Sequence, residues 1–137
     1  VYTKLPSELE AYKSSLTLKK PYYENGKIEE ELNFKNGLMD GLRKVYHKNG
    51  QLEFEANLIQ GHIEGPKKSY YKNGQLEAEN QYINGKINGL YKIYYENGKL
   101  SEEANFINSE LDGVYKKYDE TRKLESEEYY KKGEKNT

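Results

Sequence analysis

Two histidines and a column of glutamates are the side chains of this chain best suited to chemistry. A nucleophilic triad needs a base beside a serine or cysteine, and the sequence offers His47 and His62 with no cysteine. His47 stands where Tyr23, Tyr71 and Tyr95 stand in equivalent places, which reads as a replaced aromatic rather than a base. His62 lies between Gly61 and Ile63 in a turn and is expected in solvent. A metal centre needs several carboxylate or imidazole ligands converging on one point. Glutamates recur at Glu31, Glu55, Glu79, Glu103 and Glu127, but basic residues recur with them, so ion pairing is the simpler expectation. Glycoside cleavage would need two acids facing each other across a cleft, and an alternating sheet provides none. The Asn-Gly pairs are no phosphate loops, because strands flank them on both sides where a phosphate loop opens a helix. The expectation is a protein that is not an enzyme, with no catalytic, metal or cofactor residues.

The elements that position these side chains are announced by glycine. Its 12 copies fall in three columns of a 24-residue period: Gly26, Gly50, Gly74 and Gly98; Gly37, Gly61, Gly85 and Gly133; Gly41, Gly65, Gly89 and Gly113. Glycine is favoured where the backbone needs positive φ, so phased columns mean that the same turns recur in copies of one unit. The units run 18–41, 42–65, 66–89, 90–113 and a degenerate 114–137, after an N-terminal cap over 1–17. Each carries one lysine (Lys20, Lys44, Lys68, Lys92, Lys116) and one tyrosine (Tyr22, Tyr46, Tyr70, Tyr94, Tyr118) at fixed offsets. Ser7 and Glu10 have capping-box spacing, and Leu9, Tyr12 and Leu16 could share a stripe, which predicts a short helix over 7–16.

Within a unit, two alternating runs such as Leu42 to His47 and Gln51 to Leu58 flank Asn49-Gly50, the signature of a β-hairpin. A three-residue loop, Lys48-Asn49-Gly50, closed by glycine in the left-handed region, pairs Tyr46 with Leu52, Lys44 with Phe54 and Leu42 with Ala56. That register gathers Leu42, Tyr46, Leu52, Phe54, Ala56 and Leu58 on one face and opposes Lys19 to Glu31, Arg43 to Glu55 and Lys67 to Glu79 on the other. Met39, Ile63, Ile87 and Leu111 are expected to tuck under the second connection. Thr121-Arg122 in place of Asn-Gly and the polar stretch 131–137 predict either a frayed last hairpin or a natural boundary of the array close by. The expected fold is all-β: an elongated, twisted antiparallel sheet of about ten strands and roughly 45 Å.

Composition fits a thin core. Hydrophobic and charged residues make up 34% and 33% of the 137-residue chain, while 15 tyrosines supply rings that suit half-buried strands. The 22 basic and 23 acidic residues are mixed along the chain, without the basic surface that nucleic acid requires. No apolar run is long enough to be a transmembrane segment. The chain starts at Val1, so a cytoplasmic protein and an exported one whose leader has been removed both fit.

The pattern G-[LPV]-x-K-x-Y-x-x-N-G-[KQ]-[LI], followed by x-N-G-x-[LIM]-[DEN]-G, resembles the MORN-repeat variant over about residues 18 to 133. The resemblance implies a β-hairpin array used for interaction, common in bacterial proteins that include the YwqK-type antitoxins. The leading expectation is a scaffold for protein-protein or surface interaction. The alternatives are an antitoxin or immunity protein that binds a toxin, and a glycan- or lipid-surface binder. The row Tyr23, His47, Tyr71 and Tyr95 is the strongest candidate for an interaction surface, with a structural ladder that stacks on neighbouring strands as the reading placed ahead of it.

Overall fold

The structure, a computed structural model, describes residues 21–136. The cap over 1–17, the helix over 7–16 and the Lys19–Glu31 pairing lie outside the described residues or depend on them. One antiparallel sheet of 12 strands dominates, accompanied by a two-stranded ribbon of Phe34–Lys35 and Leu38–Met39. Its long members are Gly41–Tyr46, Leu52–Ile59, His62–Tyr70, Leu76–Ile83, Gly89–Tyr94, Leu100–Ile107, Gly113–Tyr118 and Leu124–Lys131, neighbours in space in that order. The expected repeat sheet is therefore present. It exceeds about ten strands because the second connection of most units pairs as well, as in Lys86–Ile87 and Glu110–Leu111.

The two hairpin types use glycine differently. At the first, His47 N–H reaches Gln51 O at 2.8 Å and Gly50 N–H reaches His47 O at 2.9 Å, with Gly50 at φ 91°. This is the three-residue loop that the spacing predicts. The second, Gln60-Gly61, holds φ 50° and 83° and joins Ile59 directly to His62. Positive φ at both central residues is the type I′ geometry, whose twist matches the flanking strands.

Tyr46 pairs with Leu52 as predicted, but one step further the register departs from expectation. Val45 faces Phe54, Lys44 faces Glu55, Arg43 faces Ala56 and Leu42 faces Asn57. The expected pairs Lys44–Phe54, Leu42–Ala56 and Arg43–Glu55 are not made, and Lys68, not Lys67, faces Glu79. The cause is a β-bulge: Glu53 is an extra residue between Leu52 and Phe54. Ser69/Tyr70 and Lys117/Tyr118 show the same shift in later units. An extra residue sends the rest of the strand to the opposite face. Leu42, Tyr46 and Leu52 thus lie on one face, while Phe54, Ala56 and Leu58 lie on the other.

Both faces of a single layer are therefore partly apolar, and the core is thin. Ala56, Leu58 and Ala104 are the buried apolar residues among those described, all on the second face. The last hairpin is not frayed. Leu124–Lys131 pairs along Gly113–Tyr118 from Leu124 to Tyr130. Arg122 takes φ 72° in the glycine slot, and the Asp119 carboxylate accepts from Thr121 N–H and Lys123 N–H at 2.8 and 2.9 Å.

Candidate interaction surface

The bulge brings the lysine and glutamate columns into one row. Reading across the sheet, Glu31, Lys44, Glu55, Lys68, Glu79, Lys92, Glu103, Lys116 and Glu127 stand opposite one another in turn. Charge alternates at every strand. The tyrosine column lies beside this ladder, and from Tyr46 onward each tyrosine bonds a glutamate of the preceding unit. Tyr46 donates to Glu31 at 3.1 Å, Tyr70 to Glu55 at 3.3 Å, Tyr94 to Glu79 at 3.0 Å and Tyr118 to Glu103 at 3.0 Å. Burial, the glutamate hydrogen bond and carboxylate charge raise the Tyr94 hydroxyl to about 12. Tyr70 and Tyr118 are raised for the same kinds of reason, burial foremost.

This ladder face is also where the exposed apolar side chains gather. Leu42 and Leu90 flank the lysines, Ile59, Ile83 and Ile107 follow at the type I′ turns, and Ile28, Leu124, Tyr22 and Tyr129 lie on the same side. The opposite, alanine face is better covered. There Arg43 binds Glu30 at 2.5 Å, and Arg43 and Lys67 lie 5.4 and 5.0 Å from the Phe54 ring centre. Further along, Ile87, Tyr91, Ile93, Glu102, Ala104, Phe106 and Tyr115 line an open groove of about 310 Å³. Tyr115 donates to Glu102 at 2.5 Å within it. Burial and that carboxylate hold the Tyr115 hydroxyl far above the ordinary range.

Tyr23, His47, Tyr71 and Tyr95 form a row at the bases of the three-residue loops. Each is half-buried with its polar atom committed to the next unit. Tyr23, Tyr71 and Tyr95 donate to the carbonyls of Tyr46, Tyr94 and Tyr118 at 2.5, 2.6 and 2.6 Å. His47 Nε2 reaches Tyr70 O at 2.9 Å, which makes Nε2 the protonated nitrogen. His62 is exposed, with its ring close to Gly85 of the next unit.

Two further inter-unit devices escaped the sequence reading. Asn25 and Asn49 accept a loop N–H and donate across to Lys48 O and Lys72 O at 2.9 Å each. At the other border, Asp40, Glu64, Asn88 and Asp112 accept the N–H of Gln60, Asn84, Asn108 and Lys132. The carbonyls of Met39, Ile63, Ile87 and Leu111 also receive the following turn N–H at 2.8 to 3.0 Å. The [DEN]-G spacing could have revealed the acceptor column, since it repeats as strictly as the glycines.

Among the described residues no cluster of three or more His, Cys, Asp or Glu side chains converges as a metal site. No helix among them is long and apolar enough to cross a membrane. No curated protein matches the chain. The family model of the MORN repeat variant matches residues 20–36, 39–60, 63–84, 87–108 and 111–132, phased a few residues from the units read above. Five tandem matches over a continuous hairpin sheet place this chain in the MORN repeat variant family.

Proposed function

We propose that this protein is a non-enzymatic scaffold that binds other macromolecules, proteins foremost, through its ladder face. The observation that carries this reading is the one-sided distribution of exposed apolar residues. Leu42 and Leu90 are 45% and 54% exposed and border a regular row of charges. A contiguous apolar surface rimmed by polar groups is the usual signature of an interaction site. Family membership supports the same class of role.

The row Tyr23, His47, Tyr71 and Tyr95 enters this reading as a seam. Its committed hydroxyl and imidazole groups fasten one unit to the next, and the rings border the binding face rather than form it.

The test is a Leu42→Glu, Leu90→Glu double variant. Both side chains are exposed, so the variant should keep the strand circular dichroism of the unmodified chain while the macromolecules that the unmodified chain retains are lost. Retention of the same set would remove the ladder face from consideration.

A further inference from the structure

The ladder face matches itself. Its row of charges begins and ends with glutamate and alternates at every strand, so it reads identically in both directions. A twofold axis parallel to the strands, passing between a lysine strand and a glutamate strand, reverses the row. Every lysine then faces a glutamate of the other copy. An axis along the row would set like charge on like, which is unfavourable. The permitted axis also brings the Ile59, Ile83 and Ile107 row against its own counterpart, and likewise the Tyr46 and Leu52 side of the ladder.

The charges are available for such pairing. The ion pairs among the described residues are Arg43–Glu30 and Lys135–Glu128, so Lys44, Lys68, Lys92 and Lys116 keep ammonium groups without a carboxylate partner among the described residues. The facing glutamates spend one oxygen on a tyrosine hydroxyl, as Glu79 does with Tyr94, which leaves the second oxygen to accept from outside. A sheet with an apolar face ordinarily covers it with another layer.

We propose that the ladder face docks onto the ladder face of a second copy of this chain, forming an isologous antiparallel dimer. The inference rests on the reading of this face as the binding surface and names its partner. With the axis between the strands of Glu79 and Lys92, Lys92 meets Glu79, Lys68 meets Glu103, Lys116 meets Glu55 and Lys44 meets Glu127. One strand over, Lys68 meets Glu79 and Lys92 meets Glu55.

A charge swap tests it. Sedimentation of the unmodified chain at high micromolar concentration should give a dimer that weakens with added salt. A Lys68→Glu, Lys92→Glu variant should be monomeric. So should Glu79→Lys, Glu103→Lys and Glu55→Lys, Glu79→Lys. Mixing the first variant with one of the two glutamate variants should restore a one-to-one heterodimer, which also shows that both partners are folded, and the choice of partner identifies the axis. A monomeric unmodified chain overturns the proposal, as does a dimer that survives the swaps or a mixture that restores nothing. A monomer that still loses a foreign partner through Leu42→Glu, Leu90→Glu overturns the dimer alone and leaves the scaffold reading standing.

Discussion

Tyr94 donates its hydroxyl to Glu79 of the preceding unit at 3.0 Å, on the strand that also presents Glu79 to Lys68 and Lys92. The same bond recurs in three other units, so the strict tyrosine and glutamate columns have one shared cause. Removing the hydroxyl while keeping the ring isolates this bond. Tyr94→Phe should lower stability by about 1 kcal/mol, the usual net worth of a hydrogen bond or slightly more for a charged acceptor. Urea unfolding with an unchanged midpoint would show that packing of the ring, not the bond, accounts for the column.

Alkaline titration should weaken the fold. The Tyr94 hydroxyl is raised from 10.0 to about 12 by burial and by Glu79, and Tyr46, Tyr70 and Tyr118 move in the same direction. Above the ordinary tyrosine value the unfolded chain loses protons that the folded chain keeps, so stability falls as pH rises. The contribution from Tyr94 is intact below pH 10.0 and is lost by about pH 12. Melting temperatures taken from neutral pH upward should bend downward in that window, together with late tyrosinate absorbance. A flat profile would remove the buried-hydroxyl explanation.

Two non-glycine residues in glycine slots should respond differently to repair. Arg122 sits at φ 72° and Ser109 at φ 67°, both in the left-handed region that disfavours side chains. Arg122→Gly should gain up to about 1 kcal/mol by relieving that conformation. Ser109→Gly should be close to neutral, because its hydroxyl accepts from Ile87 N–H at 3.1 Å and that bond would go. Equal gains in thermal denaturation would mean that the serine bond contributes nothing.

The loop asparagines offer a graded comparison. Asn49 accepts from Gln51 N–H and donates to Lys72 O, each at 2.9 Å, whereas among the described residues Asn97 makes only the local bond to Lys99 N–H. Asn49→Ala should therefore cost about 1 kcal/mol more than Asn97→Ala. Chemical denaturation of the two variants side by side decides it. Indistinguishable losses would show that the bond to the next unit is not felt in solution.

The repeat, the three-residue loop at Gly50 and the Tyr46–Leu52 pair could be read from residue types, because glycine spacing and Asn-Gly chemistry are local. The bulge at Glu53 could not. An extra residue beside a loop leaves composition and alternation nearly unchanged, yet it moves Phe54 and Ala56 away from Leu42 and aligns Lys44 with Glu55. The assumption of one apolar face favoured the wrong register beyond that point, since a single layer carries apolar side chains on both. Tyr23, His47, Tyr71 and Tyr95 were legible as a row but not as a seam, because the partners of their polar atoms are main-chain carbonyls that have no sequence signature. The acidic row Asp40, Glu64 and Asp112 was visible as a pattern, and only the neighbouring turn gave it a task.

The bonds that tie unit to unit close short stretches of chain: 13 residues between Arg43 and Glu30, 15 between Tyr94 and Glu79, 23 between Tyr71 and Tyr94. Sheets are usually slow to form because distant segments must meet before any contact rewards them. Here each strand waits only for its predecessor, so assembly can start at any well-formed hairpin and advance one unit at a time in either direction. A sheet of 12 strands thus acquires the kinetic economy of a helical array, and a lesion in one hairpin should stall the growing edge there while the units already zipped stay folded.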